Sequence, residues 1–301
     1  MPSPAEPGGS APTVSYSFLG LDPADHTYAR ASVVVQPVPY DATASFRAGA
    51  REGPDAIIAA SRELEDYDLE LRCEPSSVGI HTNAALEPHF GDPKQMVQRV
   101  AQAVRPVIAS GKLPVLLGGD HSVSVGAVLA MKETYASLSV LYLDAHADFR
   151  DEYLGTRWGH ASSARRISEL CPVTLVGVRS MSQEEAEALG DAGVSAFQAA
   201  SEEASGPWDS VVGSLTDVVY VSVDLDVFDP SLMPSVGTPE PGGMGWTEVP
   251  GLLRSVAERR HIVGFDVVEL APREGPASCA YIAAKLVYKL IGYSKSLGTG
   301  A

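Results

Sequence analysis

From residue 32 onward, short runs of apolar and β-branched residues alternate with longer segments of helical periodicity, and this alternation restricts the possible folds most strongly. The runs predict strands at 32–38, 113–117, 139–143, 173–178, 218–223 and 262–268. The longer segments predict helices at 54–63, 93–110, 122–133, 161–169, 183–189, 248–259 and 277–290. Most runs lack polar alternation, which is typical of parallel strands buried on both faces. The sequence therefore predicts an α/β protein, a three-layer α/β/α sandwich around a central, mostly parallel sheet.

The start of the chain differs from the rest. Residues 1–15 are rich in Pro, Gly, Ser and Ala and predict a flexible N-terminal leader. A chain of 301 residues can form one large domain or two ordinary ones. Because no composition break, long linker or internal repeat interrupts the alternation after the leader, we expect a single α/β domain over residues 16–301.

Charge and cysteine content exclude several classes of partner. The net charge of −16 opposes non-specific binding to nucleic acid and to anionic membrane surfaces. Cys73, Cys171 and Cys279 are far apart and form no CxxC pattern, so neither a disulfide framework nor a thiolate metal site is expected. No stretch approaches the ~20 apolar residues of a membrane span, and the N-terminus lacks an export signal. These features predict a cytoplasmic protein with no nucleic-acid or membrane partner.

Clusters of polar residues follow the predicted strands. The first, GGDHS at 118–122, is by itself more typical of a glycine turn whose aspartate caps the next helix than of a functional site. The second, DAHAD at 144–148, turns Asp144, His146 and Asp148 to one side of an extended segment, which is a metal-ligand spacing. Three unpaired polar groups at the end of a buried strand are costly to desolvate without a cation.

A third cluster, SVDLD at 222–226, turns Asp224 and Asp226 the same way, and carboxylates so close repel each other unless a cation bridges them or they are protonated. The carboxyl ends of parallel strands meet at one edge of a sheet, so the three clusters should converge. Together they offer imidazoles and carboxylates but no thiolate, and more ligands than one divalent ion needs. Two ions of the Mn²⁺ type suit this donor set, and a water between two ions becomes a hydroxide nucleophile near neutral pH.

These motifs, in this order, resemble the ureohydrolase family of arginase, agmatinase, guanidinobutyrase and formiminoglutamase. The similarity extends to SFRAG at 45–49, GP at 53–54, GTPEPGG at 237–243 and GFDVVE at 264–269, and so covers about residues 32–292. The resemblance implies an arginase-like fold, two Mn²⁺ per chain and hydrolysis of a small cationic guanidino compound to an amine and urea. It also implies a homo-oligomer, either a trimer or a hexamer.

By the same resemblance, the two ions share their ligands. One manganese is expected to be held by His121, Asp144, Asp148 and Asp224, and the other by Asp144, His146, Asp224 and Asp226. Asp144 and Asp224 then bridge the two ions. Asp148 is also expected to accept a proton from the nucleophile and relay it to the departing amine.

Two further residues match catalytic and substrate-binding positions of the family. His160 in WGHAS matches a histidine that shuttles protons at the mouth of the site, although a lone histidine can equally cap the next helix. Glu269 matches the glutamate that binds the substrate guanidinium, and the alternative is an ion pair with Arg273 or another internal arginine. Thr238 and Glu240, in the GTPEPGG turn, are expected to shape the site.

The substrate is less constrained than the chemistry. Segments 149–154 and 177–182 lack the groups with which arginases bind the α-carboxylate and α-amine of arginine. The GTPEPGG and GFDVVE versions resemble agmatinases, which favours agmatine. Asp151 and Glu152 either lie near a primary amine of the substrate or are solvated loop charges.

Other specificities and other classes of protein remain as alternatives. Arg150 or Arg157 would suit the carboxylate of guanidinobutyrate, and arginine or formiminoglutamate would define further ureohydrolase specificities. A different class is a non-catalytic metalloprotein on the same fold. A third is a deacetylase-type zinc hydrolase, although a single-metal site would not need His121 together with both carboxylates of DAHAD.

Overall fold

The computed structural model describes residues 16–192, 194–198 and 208–297, which build one eight-stranded sheet covered by helices on both faces. Each neighbouring pair of strands is parallel. The spatial order is β2-β1-β3-β8-β7-β4-β5-β6. The strands are β1 (Val33–Val38), β2 (Ile80–Thr82), β3 (Leu113–Gly118), β4 (Leu138–Leu143), β5 (Val173–Val178), β6 (Ser195–Gln198), β7 (Val218–Asp224) and β8 (His261–Val268). This architecture confirms the predicted α/β/α class.

The helices form the two outer layers. Their bounds are α1 (Gly53–Ser61), α2 (Pro93–Ala109), α3 (Val123–Thr134), α4 (Ser163–Ser168), α5 (Gln183–Ala192), α6 (Asp209–Gly213), α7 (Glu248–Arg259) and α8 (Ser278–Ser296). Helices α1, α6, α7 and α8 bury apolar side chains against one face of the sheet, and α2, α3 and α4 against the other. Strand residues are therefore buried from both sides, which is why their sequences are apolar without alternation.

The structure adds elements that the sequence pattern does not reveal. Strand β2 has only three residues, and β6 at the opposite edge alternates between partly buried and exposed positions. Helix α6 has five residues. Elements this short carry too little periodicity to stand out from loops. The predicted leader at 1–15 lies outside the described residues, and within the described part no helix is long and apolar enough to cross a bilayer.

The strand order brings the polar motifs together. Strands β3, β8, β7 and β4 are consecutive neighbours in the middle of the sheet. GGDHS begins at the last residue of β3, and Glu269 directly follows β8. Asp224 ends β7, and DAHAD directly follows β4. In register, Leu143 lies opposite Val223, and Asp224 opposite Val268. Four strands therefore deliver their polar ends to one place, although these segments are far apart in sequence.

A close backbone approach anchors the GGDHS turn to the segment after β1. A Cβ atom on Gly119 would lie 1.8 Å from the carbonyl oxygen of Tyr40, so only glycine fits at this position. The next residue, Asp120, donates its backbone N–H to the same carbonyl over 2.7 Å. This contact places the loop that follows Tyr40 beside the first polar motif.

Candidate metal centre

The converging strand ends form the floor of a cleft of about 290 Å³. Its floor includes Asp148, Asp224, Asp226 and Glu269, and its wall is contributed by loops around residues 44–47, 150–161 and 180–185. The structure therefore places residues from the DAHAD and SVDLD motifs, together with His160 and Glu269, around a single cleft. His121 of the GGDHS motif is buried and contacts the carboxylates of these motifs.

His121 presents one ring nitrogen to three carboxylates. Its Nδ1 lies 3.0 Å from Asp144 Oδ2, 3.2 Å from Asp224 Oδ2 and 3.6 Å from Asp148 Oδ2. Neither Nδ1 nor Asp144 Oδ2 makes a well-formed hydrogen bond, although both atoms are buried. Buried polar atoms that face one another without a shared hydrogen fit a common cation.

The other nitrogen of the His121 ring is held from behind. Nε2 lies 2.8 Å from Ser222 Oγ, and that hydroxyl donates to Asp266 Oδ1 over 2.7 Å. Since the Ser222 hydrogen is used by Asp266, Nε2 is the donor, which leaves the Nδ1 lone pair facing the carboxylates. Tyr142 stacks on the His121 ring with 4.2 Å between centroids and donates its hydroxyl to Asp148 Oδ2 over 2.8 Å. Such outer contacts orient ligands in metal sites.

His146 defines a second candidate group beside the first. Its Nδ1 lies 2.9 Å from Asp226 Oδ2 and 3.5 Å from Asp144 Oδ1. Two sets of donor atoms are close enough to hold a cation, and they share Asp144: His121 with Asp144 and Asp224, and Asp144 with His146 and Asp226. Asp144 thus belongs to both sets, which agrees with the bridging role that the resemblance implies. Asp224 falls within the first set alone, and Asp148 lies beside that set.

The electrostatics of the cluster indicate an excess of negative charge. Burial and the charges of Asp226 and Asp144 raise the pKa of Asp224 well above its ordinary value. Burial and the charge of Asp144 raise the pKa of Asp148 in the same direction. Burial lowers the pKa of His146, but its hydrogen bonds with Asp144 and Asp226 outweigh this and raise the pKa to about 12. Each shift favours added positive charge, so the residues fit divalent cations.

Glu269 lies at the cleft floor with an unusual backbone conformation. Its φ is 66°, in the left-handed region, and Asp148 also has a positive φ of 48°. Glu269 Oε1 accepts the backbone N–H of His121 over 2.7 Å, which joins it to the metal-ligand turn. Burial and the charge of Asp120 raise the pKa of the Glu269 carboxyl well above its usual range. Strained non-glycine residues that line a cleft are typical of functional sites.

The alternative ion pair of Glu269 with Arg273 is not formed. Arg273 instead pairs with Glu52, with 2.7 Å between Nε and Oε2, and its side chain is 80% exposed. The position of Glu269 therefore agrees with a substrate-facing carboxylate and not with an internal pair to that arginine.

The side chain of His160 faces the loop after β1 and does not cap a helix. The short 3₁₀ helix that begins at His160 has Gly159 as its N-cap and no side-chain cap. The ring nitrogens of His160 lie 3.3 Å from Thr43 Oγ1 and 3.1 Å from Ser45 Oγ. Thr43 is a residue that sequence reasoning missed, because it lies just before the recognised SFRAG segment and has no distinctive spacing.

Arg179 is a second residue that sequence reasoning missed. Its guanidinium group donates to backbone carbonyls of three segments, including Asp226 over 2.6 Å and Glu240 over 2.8 Å. It also reaches the carbonyl of Gly177 at the end of β5 over 3.1 Å. Arg179 therefore holds the loop of the Asp226 ligand against the GTPEPGG turn. The one available signal was an arginine directly after a predicted strand.

The GTPEPGG turn comes near the second candidate group, as expected. Glu240 Oε1 lies 3.9 Å from His146 Nε2, and the Thr238 hydroxyl lies 3.5 Å from Asp226 Oδ2. Both residues therefore shape the surroundings of the metal ligands.

The loop after DAHAD is organised by its own charges. Asp151 Oδ1 lies 2.8 Å from Arg157 Nη2 and 2.8 Å from Arg166 Nη2. This carboxylate is therefore engaged within the loop, so Asp151 is poorly placed to bind a substrate amine. Glu152 is exposed, and Arg157 is held in the same network as Asp151.

Arg150 and Glu185 lie in the cleft wall. The Glu185 carboxylate accepts the backbone N–H and hydroxyl of Ser182 and the backbone N–H of Phe149, over 2.8–3.0 Å. This pattern caps helix α5 and ties it to the loop after Asp148. Arg150 lies 3.7 Å from Glu185 and stacks over the Tyr153 ring at 4.9 Å. Arg150 is thus the arginine of this loop that lines the cleft.

The fold and this donor cluster define an α/β/α protein with a candidate centre for two divalent cations. A profile of the Arginase family matches residues 31–292. A relative from Thermus thermophilus, N(1)-aminopropylagmatine ureohydrolase, is 42% identical over 270 residues, which cover 89% of this chain and 92% of the relative. A relative of the same name from Synechocystis sp. is 38% identical over 276 residues, which cover 89% and 90%.

Solved structures agree with the sequence comparison. The agmatine ureohydrolase of Thermoplasma volcanium superposes with a TM-score of 0.83 at 33% identity, covering 91% of this chain and 94% of that chain. The chain therefore belongs to the Arginase family, whose members are binuclear metal enzymes. It is a hydrolase that acts on amidine C–N bonds, which confirms the predicted reaction class and excludes the deacetylase alternative.

Proposed function

We propose that this chain is a manganese-dependent ureohydrolase that cleaves the guanidino group of agmatine-type amines and releases urea. The observation that carries the proposal is the position of the Glu269 carboxylate in the same cleft as Asp224 and Asp226. A guanidinium ion offers two parallel N–H donors that match a carboxylate, so Glu269 can hold its carbon beside the candidate metal centre.

The ligand assignment follows the two donor groups. His121, Asp144 and Asp224 would hold one ion, with Asp148 beside them, and Asp144, His146 and Asp226 would hold the other. We propose that Asp224 would also bind the second ion, as the family resemblance implies. Carboxylates and imidazoles without thiolates suit Mn²⁺, and ions of this kind supply a hydroxide nucleophile at neutral pH by lowering the pKa of coordinated water.

The protein groups around this centre have separate tasks. Glu269 orients the guanidinium group. Asp148, which accepts the Tyr142 hydroxyl at Oδ2, takes up the proton released by the nucleophile and passes it to the departing nitrogen. His160 exchanges protons between this nitrogen and the mouth of the cleft. The cleft walls keep the guanidinium group near its reaction partners.

The proposed substrate class rests on the names of the relatives. The relatives named above act, by their names, on agmatine or on N(1)-aminopropylagmatine, which share a guanidino group on a cationic chain. We propose agmatine as the first substrate to test, with putrescine as the amine product of its hydrolysis. N(1)-aminopropylagmatine is its direct competitor, because two relatives at 38–42% identity carry that name.

A second candidate substrate is guanidinobutyrate. The observation that favours it is the presence of Arg47 and Arg150 along the cleft wall. Both guanidinium groups have acidic neighbours, since Arg47 pairs with Glu274 at 3.0 Å and Arg150 lies near Glu185. Because these carboxylates offset much of the positive charge, an anionic substrate has the weaker support.

Urea release tests the proposal. The Mn²⁺-loaded protein is supplied with agmatine, N(1)-aminopropylagmatine, guanidinobutyrate, arginine and formiminoglutamate at equal concentrations. We expect the highest kcat/KM for one of the two cationic amines. A higher kcat/KM for guanidinobutyrate or arginine would refute the substrate class but not the reaction, whereas no urea from any compound would refute both.

The cellular setting forms part of the proposal. We propose a cytoplasmic homo-oligomer, a trimer or hexamer, built from a single domain over residues 16–301. Cys73, Cys171 and Cys279 are all free thiols, which suits a reducing compartment. Light scattering on the purified chain measures the oligomeric state, and a monomeric mass would contradict this part of the proposal.

A further inference from the structure

His160 has two ring nitrogens in different surroundings, and their partners decide which nitrogen carries the hydrogen of the neutral ring. Nδ1 lies 3.3 Å from Thr43 Oγ1, and Nε2 lies 3.1 Å from Ser45 Oγ. Both partners are hydroxyls, which can donate or accept. These two contacts alone therefore leave the hydrogen unassigned.

The remaining contacts of Thr43 assign it. A hydroxyl has one hydrogen to donate and two lone pairs to accept with. The Thr43 hydrogen goes to Asp120 Oδ2 over 2.8 Å, and one lone pair accepts the backbone N–H of His160 over 3.0 Å. What remains on Thr43 Oγ1 is a lone pair that faces Nδ1 of His160. Nδ1 must therefore be the donor in this contact.

Asp120 determines the direction of the Thr43 hydroxyl. Its side chain is fully buried, and Oδ2 also accepts the backbone N–H of Thr43 over 3.0 Å. The other oxygen, Oδ1, accepts the backbone N–H and the hydroxyl of Ser122. A carboxylate that accepts four donors has no hydrogen to return to Thr43.

We propose that Asp120 and Thr43 are positioning residues that hold His160 in the Nδ1–H tautomer, so that Nε2 turns its lone pair to the cleft. In the resting protein the Ser45 hydroxyl donates to Nε2. The catalytic consequence rests on the proposed function: Nε2 takes up a proton from water at the mouth of the cleft as that O–H bond breaks, and gives it to the departing nitrogen as the new N–H bond forms. The Nδ1–H bond to Thr43 stays in place throughout, so the ring needs no reorientation.

Neutron diffraction tests the tautomer without any activity measurement. Crystals of the full chain, loaded with Mn²⁺ and exchanged into D₂O, are kept at about pH 8.5, roughly two units above the ordinary histidine pKa. We expect deuterium on Nδ1 of His160, none on Nε2, and the Thr43 deuteron directed at Asp120. Deuterium on Nε2, or a deuteron on Asp120 that points at Thr43, would overturn the proposal. This result does not depend on which substrate is hydrolysed.

A double-mutant cycle separates positioning from simple structural support. Thr43→Val keeps the shape of the side chain but removes the hydroxyl, and Thr43→Ser retains the hydroxyl as a matched control. We expect Thr43→Val to lower kcat about tenfold in the native background with unchanged metal content, while Thr43→Ser changes it little. In a His160→Ala background the effect of Thr43→Val should vanish, because Thr43 affects the reaction only through the His160 ring. A tenfold loss that persists without His160 would show that Thr43 supports the fold and not the tautomer.

Discussion

The floor and the rim of the cleft are built from different parts of the fold. At the floor, Asp144, Asp224 and Asp226 are each at most 3% exposed and lie at the ends of neighbouring strands in the middle of the sheet. At the rim, Phe46 is 70% exposed, and Leu154, next to Tyr153 of the cleft wall, is 72% exposed; both belong to loops. The sheet therefore holds the reaction chemistry rigidly, while loop residues that tolerate change surround the entrance.

Replacement of a floor ligand should have the largest effect. Asp224→Asn removes one charge from the carboxylate that contacts His121, and we expect the loss of bound metal together with essentially all urea release. Loss of a hydrogen-bond partner of a metal ligand already lowers metal affinity about 10–100-fold, so loss of the ligand itself should lower it further. Elemental analysis and urea release on the same sample measure both. Asp217→Asn, an exposed position near the opposite end of β7, is the control. Two ions still bound to Asp224→Asn would rule out the bridging role.

His160 lies between floor and rim, so its removal should separate chemistry from metal binding. We expect His160→Ala to lower kcat about 100-fold, the lower end of the range for a lost general acid–base group, while the metal content stays unchanged. His261→Ala, at the exposed start of β8, should leave both quantities at the native level. Release of one metal equivalent from His160→Ala would show that His160 contributes to metal binding and would refute its role as a proton shuttle.

Glu269 tests whether the floor also binds substrate. Glu269→Gln keeps the shape of the side chain and its contact with the His121 N–H, but loses charge-assisted contacts worth about 1.5–3 kcal/mol. We expect a loss of roughly tenfold to over a hundredfold in kcat/KM, with metal content and Tm nearly unchanged. Glu258→Gln, at an exposed position of helix α7, serves as the control. A much lower Tm with native activity would assign Glu269 to structural support instead.

A substitution at the rim should have the smallest effect on catalysis. Arg150→Gln removes a partly exposed positive charge from the cleft wall, and interactions of this kind are worth about 1 kcal/mol or less. We expect the kcat/KM ratio of agmatine over guanidinobutyrate to rise by up to about fivefold, because the anionic substrate loses an attraction. Metal content should not change. If Arg150→Gln released metal, the floor and rim would be coupled, and the distinction between them would fail.

Local patterns in the sequence predicted the strands that carry the floor of the cleft. The central strands lie within a few residues of the predicted positions, because burial on both faces requires continuous apolar runs. Asp144 and Asp224 stood out because each directly follows or ends such a run, and His121 because it lies three residues after the end of β3. Period-two spacing within DAHAD and SVDLD was also local information, since neighbouring side chains in an extended segment alternate in direction.

The loop after DAHAD was predicted less well for the opposite reason. Asp151 and Glu152 carry negative charge, but their sequence positions do not show which cation each one meets. In the structure, Arg157 and Arg166 occupy the Asp151 carboxylate. The outcome depended on how a loop folds back on helix α4, where no periodic pattern constrains the chain.

By itself, the sequence determined the chemical groups, their positions at strand ends and the class of fold, because each depends on residues close together in the chain. The tertiary structure alone decided which groups meet. Thr43 contacts Asp120 across 77 positions and His160 across 117, and sheet order β1-β3-β8-β7-β4 brings the four motifs side by side. Such contacts depend on the path of the whole chain and on a close approach at Gly119, neither of which a local pattern records.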